Sequence, residues 1–136
     1  MRIDRAALDA VNAHAAEGYP NEVCGILAGA EGGDLVTEAH RVRNINVERA
    51  RDRYLMDPRD QMRIQHDLDQ RGMALLGYYH SHPDSPARAS VTDAGASWEG
   101  PGYLIVSCRQ GVPGDANLFF AEQDGGPMHQ EPYTVV

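Results

Sequence analysis

Met73-Ala-Leu-Leu-Gly-Tyr-Tyr79, continued by His80-Ser-His82-Pro83, is the stretch that decides the architecture. The part up to Tyr79 is almost continuously apolar over the length of a strand, the pattern of a central strand covered on both faces. Just before it, Asp57-Pro58-Arg59-Asp60 reads as a helix start, with Asp at the cap, Pro in the first helical position and an acid behind it. That helix is expected to run to about Arg71 and to stop at Gly72. A helix leading into a buried strand, with a further apolar run at Tyr103–Cys108, implies a sheet with helices on its faces.

Outward from this centre the punctuation is regular. Residues 4–17 read as a helix capped by Asp4, with an Ile3/Leu8 staple, an apolar face of Leu8, Val11 and Ala15, and Gly18 as the stop. Tyr19-Pro20-Asn21 turns the chain into a short apolar strand over residues 22–29, and Glu31-Gly-Gly-Asp34 reads as a hairpin turn into a strand over 35–43. Residues 53–56 are expected to form a strand, the central strand to end at His80, and residues 83–90 to loop into a short helix over 90–98. Strands over 103–108, 117–122 and 133–136, with turns at 111–115 and Gly125-Gly126, complete the pattern. The expectation is an α/β (α+β) chain: one domain over residues 1–136, built on a single mixed β-sheet flanked by helices.

Composition narrows the function classes. The chain has 136 residues, 42% of them hydrophobic, and a mean hydropathy of −0.48, enough for a core and too polar for a membrane protein. No run nears the roughly 20 apolar residues of a spanning helix, and Met1-Arg2-Ile3-Asp4 lacks the apolar centre of a secretory signal, so a cytoplasmic protein with no membrane partner is expected. All 12 basic residues are arginine against 20 acids, giving a charge of −8 that repels a phosphate backbone and argues against a nucleic-acid partner. Cys24 and Cys108 lie in apolar runs and read as buried free thiols.

The chemistry concentrates after Tyr79. Side chains alternate along a strand, so His80 and His82 project to one side and can grip one ion. Ten residues separate His82 from Asp93, enough to return a carboxylate to a third vertex. Two imidazoles and a carboxylate suit Zn²⁺ at roughly 2.0–2.2 Å, and three protein ligands leave an open position, the mark of a catalytic site. Taken alone, His-x-His is a common pair, and Ser90-x-x-Asp93 also matches a helix capping box; a capping role is compatible with ligation, because a helix start fixes the rotamer of a first-turn acid. A metal-activated water also needs a base, for which Glu22 is the candidate, although an acid at a strand entrance is otherwise merely solvated. Tyr79, Trp98 and His129 read as core or surface residues, and Arg41, Arg43, Arg49, Arg51 and Arg53 as a solvated face, the alternative being contacts to an acidic partner.

The combination of Glu22 in Asn-Glu22-Val-Cys24-Gly25-Ile-Leu-Ala-Gly29 with His80-Ser-His82-Pro, Ser90 and Asp93 resembles the JAMM (MPN+, Mov34/PAD-1) zinc metalloprotease family, in particular its small prokaryotic branch. The resemblance runs from Leu8 to about Phe120. It implies an MPN/JAMM-like (cytidine-deaminase-like) fold and one catalytic Zn²⁺ held by His80, His82 and Asp93. It further implies Glu22 as general acid/base and Ser90 as the hydrogen-bond donor to the tetrahedral oxyanion. Family members cut amide or isopeptide bonds after the Gly-Gly tail of ubiquitin-like proteins. The small branch implies a ubiquitin-like sulfur-carrier protein or its conjugates as partner, for example releasing a C-terminal cysteine.

Two other classes stand against this reading. Many MPN-fold proteins are catalytically silent scaffolds for ubiquitin-like proteins, but these typically lack the ligands retained here. A zinc deaminase requires His-x-Glu and Pro-Cys-x-x-Cys, whereas His82 stands where that Glu would be and neither cysteine has a partner at that spacing.

Overall fold

A computed structural model describes all residues from Met1 to Val136. The chain runs β1 (Arg2–Ile3), α1 (Arg5–Gly18), β2 (Cys24–Ala30), β3 (Leu35–Val42), α2 (Pro58–Gln70), β4 (Met73–Pro83), α3 (Val91–Gly95), β5 (Gly102–Arg109), β6 (Val112–Ala121), β7 (Met128–Glu131) and β8 (Thr134–Val135). All eight strands join one mixed sheet in the order β7-β6-β5-β4-β2-β3-β1-β8, so the expected single mixed sheet with flanking helices is what forms. The apolar run at 73–79 occupies its middle, between antiparallel β2 and parallel β5.

Each face of the sheet carries its own core. On one side α1 lays Leu8, Val11 and Ala15 against Leu27, Val36, Leu104 and Val106. On the other, α2 presents Ile64 and Leu68 to Cys24, Ile26, Ala28 and Val42. Strand β2 thus splits its side chains between the two cores by simple alternation, which is why it reads as uniformly apolar. Asp4 caps α1 through its side chain to the Ala6 N–H, Ile3 and Leu8 are buried together, and Asp57 caps α2 with Pro58 in the first turn. Both cysteines are free and buried, as their surroundings require.

Four local expectations are corrected. The central strand continues past His80 to Pro83, because the parallel partner β5 pairs with it as far as Cys108. Residues 53–56 form no strand; only Met56 makes an isolated bridge, to Asn44. There the Asn44 side chain takes over the ladder's work, donating to the carbonyls of Glu22 and Arg53 at 3.1 Å and accepting from the Leu55 N–H. The turn expected over 111–115 is instead two residues, Gln110 and Gly111, both with positive φ, so β6 begins at Val112 rather than Asn117. Strands β1 and β7 are too short and too polar to register in the hydrophobic pattern, and both stand at or next to a sheet edge.

Candidate active site

A parallel pair such as β4 and β5 needs a crossover, and the crossover here, residues 84–101, passes over the end of β4 carrying α3. Its helix start places the third acid. Ser90 caps α3, its Oγ accepting the Asp93 N–H at 3.0 Å while Asp93 Oδ2 accepts the Ser90 N–H at 2.9 Å. This capping box holds the Asp93 carboxylate toward the strand, so capping and site-building are one arrangement.

The result is a tight triangle. His80 Nε2 lies 3.2 Å from His82 Nε2 and 3.1 Å from Asp93 Oδ1, and His82 Nε2 lies 3.0 Å from Asp93 Oδ2. Three electron-rich groups this close repel unless a proton or cation sits among them. The edges of a tetrahedron with metal bonds of about 2.0–2.2 Å are roughly 3.3–3.6 Å, so the donor set fits a small divalent cation with little adjustment. Ring orientation is also fixed. The Nδ1–H of His82 donates to the Pro86 carbonyl at 2.8 Å, which leaves Nε2 free to ligate. His80 is stacked under Tyr54 with ring centroids 4.7 Å apart, and its buried Nδ1 has no partner.

Glu22 reaches the same place from β2's entrance. One of its carboxylate oxygens and the two imidazoles lie within 4.8 Å of one another, a group with the donors to hold a metal ion. The link between the two segments is Ser81, whose Oγ accepts the Val23 N–H at 2.9 Å and whose N–H donates to the Val23 carbonyl at 3.0 Å. Glu22 is thereby held one residue from a clip to the very strand that carries both histidines. Ser81→Ala leaves the buried Val23 N–H unpaired, so a stability loss of about 1–3 kcal/mol is expected in denaturant unfolding, together with a fall in turnover as Glu22 loosens.

Electrostatics follow burial and proximity. Only 5% of Glu22 is exposed and its carboxylate accepts no hydrogen bond, and this burial pushes its pKa up to about 7, the nearby His82 opposing and Asp93 reinforcing. Burial lowers the His80 pKa, with Asp93 opposing. His82 moves the other way, because its bonds to Asp93 and the Pro86 carbonyl outweigh its burial. Asp93 is held far below the usual carboxylate range: burial opposes this, but hydrogen bonds to both histidines prevail.

All five sequence-derived site residues therefore converge: His80, His82 and Asp93 on one point, Glu22 facing the histidines and Ser90 bound to Asp93. Reading by motif missed Ser81, Tyr54 and the Pro86 carbonyl, none of which carries chemistry that spacing alone reveals. Tyr79 is core, its hydroxyl 2.7 Å from His14 Nδ1, and His129 is a surface residue paired with Glu131. Of the arginines read as a solvated face, Arg41, Arg43, Arg49 and Arg53 are in ion pairs, and Arg51 and Arg53 border the site.

Comparison with known proteins adds an independent line. Residues 4–121 match the family described as prokaryotic homologs of the JAB domain. A desampylase of Haloferax volcanii is 42% identical over 106 residues, covering 74% of this chain and 76% of that protein. A CysO-cysteine peptidase of Mycobacterium tuberculosis is 32% identical over 130 residues, covering 95% of this chain and 86% of that protein. Among solved structures, a protein from Desulfitobacterium hafniense superposes with a TM-score of 0.85 at 30% identity, over 100% of this chain and 93% of its own.

Proposed function

This chain belongs to the prokaryotic JAB-domain family, small hydrolases of the JAMM/MPN fold, and from that premise we propose that it cleaves the amide bond after the C-terminal Gly-Gly of a ubiquitin-like sulfur carrier, for example releasing a C-terminal cysteine. The observation that carries the proposal is the convergence of His80, His82 and Asp93 beside a buried carboxylate, Glu22, that has no other partner. Support for the substrate comes from relatives named desampylase and CysO-cysteine peptidase.

His80, His82 and Asp93 would hold one Zn²⁺. When bound, zinc supplies a Lewis acid that polarises the scissile carbonyl and acidifies water. Glu22, buried beside the histidines, would take the proton of the attacking water and return it to the leaving amine. Ser90 spends its oxygen lone pair on the Asp93 N–H and keeps its own O–H free to donate to the tetrahedral oxyanion. A Gly-Gly tail suits the site because an extended backbone without side chains can approach buried groups closely.

The test is to incubate the protein with a sulfur carrier extended by one C-terminal residue, with diubiquitin in parallel, and to weigh the products. Cleavage after Gly-Gly in the carrier is expected, and a chelator is expected to abolish it and to lower Tm by roughly 10–15 °C, since a ligand at 1,000 times its Kd stabilises the native state by about 4 kcal/mol. If both substrates stay intact while zinc is fully bound, the carrier assignment is wrong.

A further inference from the structure

Two clefts meet at Glu22 and Asp93, and they differ in chemistry. One is a polar groove along Arg51, Arg53 and Arg88, bordered by His82 and Ser90. Arg51 and Arg88 form no ion pair, so this groove presents cations in a chain whose net charge is −8. The other is a cavity of about 250 Å³ walled by Tyr54, Tyr78, Trp98 and Tyr103, with Leu55 and Met56 at its side. Its volume holds one side chain, below the roughly 300–1,000 Å³ of pockets that engulf a drug-sized ligand.

The aromatic walls are built rather than incidental. Tyr54 stacks on His80, Tyr78 stacks on Tyr103 with centroids 5.6 Å apart, and the Tyr103 hydroxyl accepts the Trp98 N–H at 2.9 Å. Trp98 nevertheless keeps 62% of its surface exposed and Leu55 58%, so apolar area at the cavity remains uncovered by the protein's own side chains.

Resting on the carrier-cleaving reading, the occupant follows from position. The two residues before the scissile bond are glycines, with no side chain to bury. A side-chain-sized apolar cavity touching Glu22 and Asp93 has no use on that side of the bond. The groove, with Arg51 and Arg88 unpaired, suits the carbonyl oxygens of the carrier's extended tail, which leaves the cavity to the group beyond the scissile nitrogen. We propose that the Tyr54/Tyr78/Trp98/Tyr103 cavity is the leaving-group subsite and that it selects an apolar leaving group. Two sources share that chemistry: the side chain of a single α-linked residue such as leucine or methionine, and the methylene stem of a lysine joined through its ε-amine. An acidic side chain is disfavoured, since Glu22, Asp52 and Asp93 line the cavity against one cation, Arg53, which is itself paired with Asp52.

The experiment uses the zinc-loaded protein and carriers ending in Gly-Gly-X, with X as Leu, Gly or Asp, together with a carrier joined to the ε-amine of lysine. Leu is expected to exceed Gly in kcat/KM by about tenfold or more, as a filled apolar pocket commonly discriminates, with Asp below Gly. Trp98→Ala truncates an exposed ring, so the fold stays intact, and it is expected to shrink the Leu-to-Gly ratio several-fold through KM. A Leu carrier cut faster than the Gly carrier supports the subsite, and the rate of the lysine conjugate relative to the Leu carrier tells the two sources apart. Equal rates for Leu, Gly and Asp, or a ratio untouched by Trp98→Ala, overturn it. Failure to cut any of these carriers is a different result, which removes the carrier-cleaving reading itself.

Discussion

Glu22→Gln is expected to lower kcat for carrier cleavage by about 10²–10⁴-fold, the usual worth of a positioned general acid/base, while leaving zinc content and fold unchanged. The main chain of Glu22 is held by its N–H to the Ala50 carbonyl and by Asn44 to its own carbonyl, and neither bond involves the carboxylate. Glutamine has the same shape, so both bonds persist. The carboxylate itself is buried without a hydrogen bond, which makes its charge a cost to folding. In the metal-free protein this gives a second, independent readout. The folded-state pKa is raised from 4.5 to about 7, so the native state binds its proton more tightly than the unfolded chain. Stability is then lost as pH rises between about 4.5 and about 7, at up to 1.4 kcal/mol per pKa unit. Chelated Glu22→Gln protein is expected to lack that loss and to melt higher than chelated wild type at pH 8. Retained cleavage would remove Glu22 from the general acid/base role.

Why the site was legible and parts of the fold were not has a physical basis. His80, His82, Ser90 and Asp93 lie close in sequence, and strand alternation and helix capping are short-range rules that act on neighbours. The two helices were equally plain, because Asp4, Asp57 and Pro58 mark their starts by local hydrogen-bonding chemistry. Residues 53–56 misled for the opposite reason. Their pattern suits a strand, yet the partner that took their backbone groups was a side chain, Asn44, whose role depends on a loop folding back upon it. The extension of β4 beyond His80 likewise depends on β5, which no local pattern of residues 80–83 announces.

Glu22 is the instructive intermediate case. Its spacing from the histidines carries no geometric meaning in one dimension; the family pattern alone singled it out. What converts that pattern into proximity is the register Cys24 opposite His80 and the pair of hydrogen bonds between Val23 and Ser81. The catalytic pairing therefore rests on the packing of β2 against β4, and the glycines of β2 are where that packing is most exposed to substitution.

Gly25→Ala tests this dependence and is expected to be strongly destabilising. A Cβ at Gly25 would fall 2.1 Å from Tyr79 Cε1, 2.3 Å from Cζ and 2.5 Å from the His40 carbonyl oxygen. None of these can yield cheaply. Tyr79 is 1% exposed and its hydroxyl is bound to His14, so moving the ring opens the α1 core and breaks that bond. The His40 carbonyl belongs to β3, which is paired with β2 at this point. Overpacking of this kind usually costs about 1–3 kcal/mol, and with ring and backbone both blocked the loss should stand at or above the upper end, roughly a 10 °C fall in Tm. Because Gly25 is next to Cys24 in the β2–β4 register, any surviving folded protein should also lose activity through displacement of Glu22. Combining Gly25→Ala with Tyr79→Leu supplies the control: removing the ring the methyl strikes should make the pair less destabilised than the sum of the two single changes. A Gly25→Ala protein melting within about 2 °C of wild type, a shift well under 1 kcal/mol, would mean that β2 and β4 are not packed across Gly25 as described.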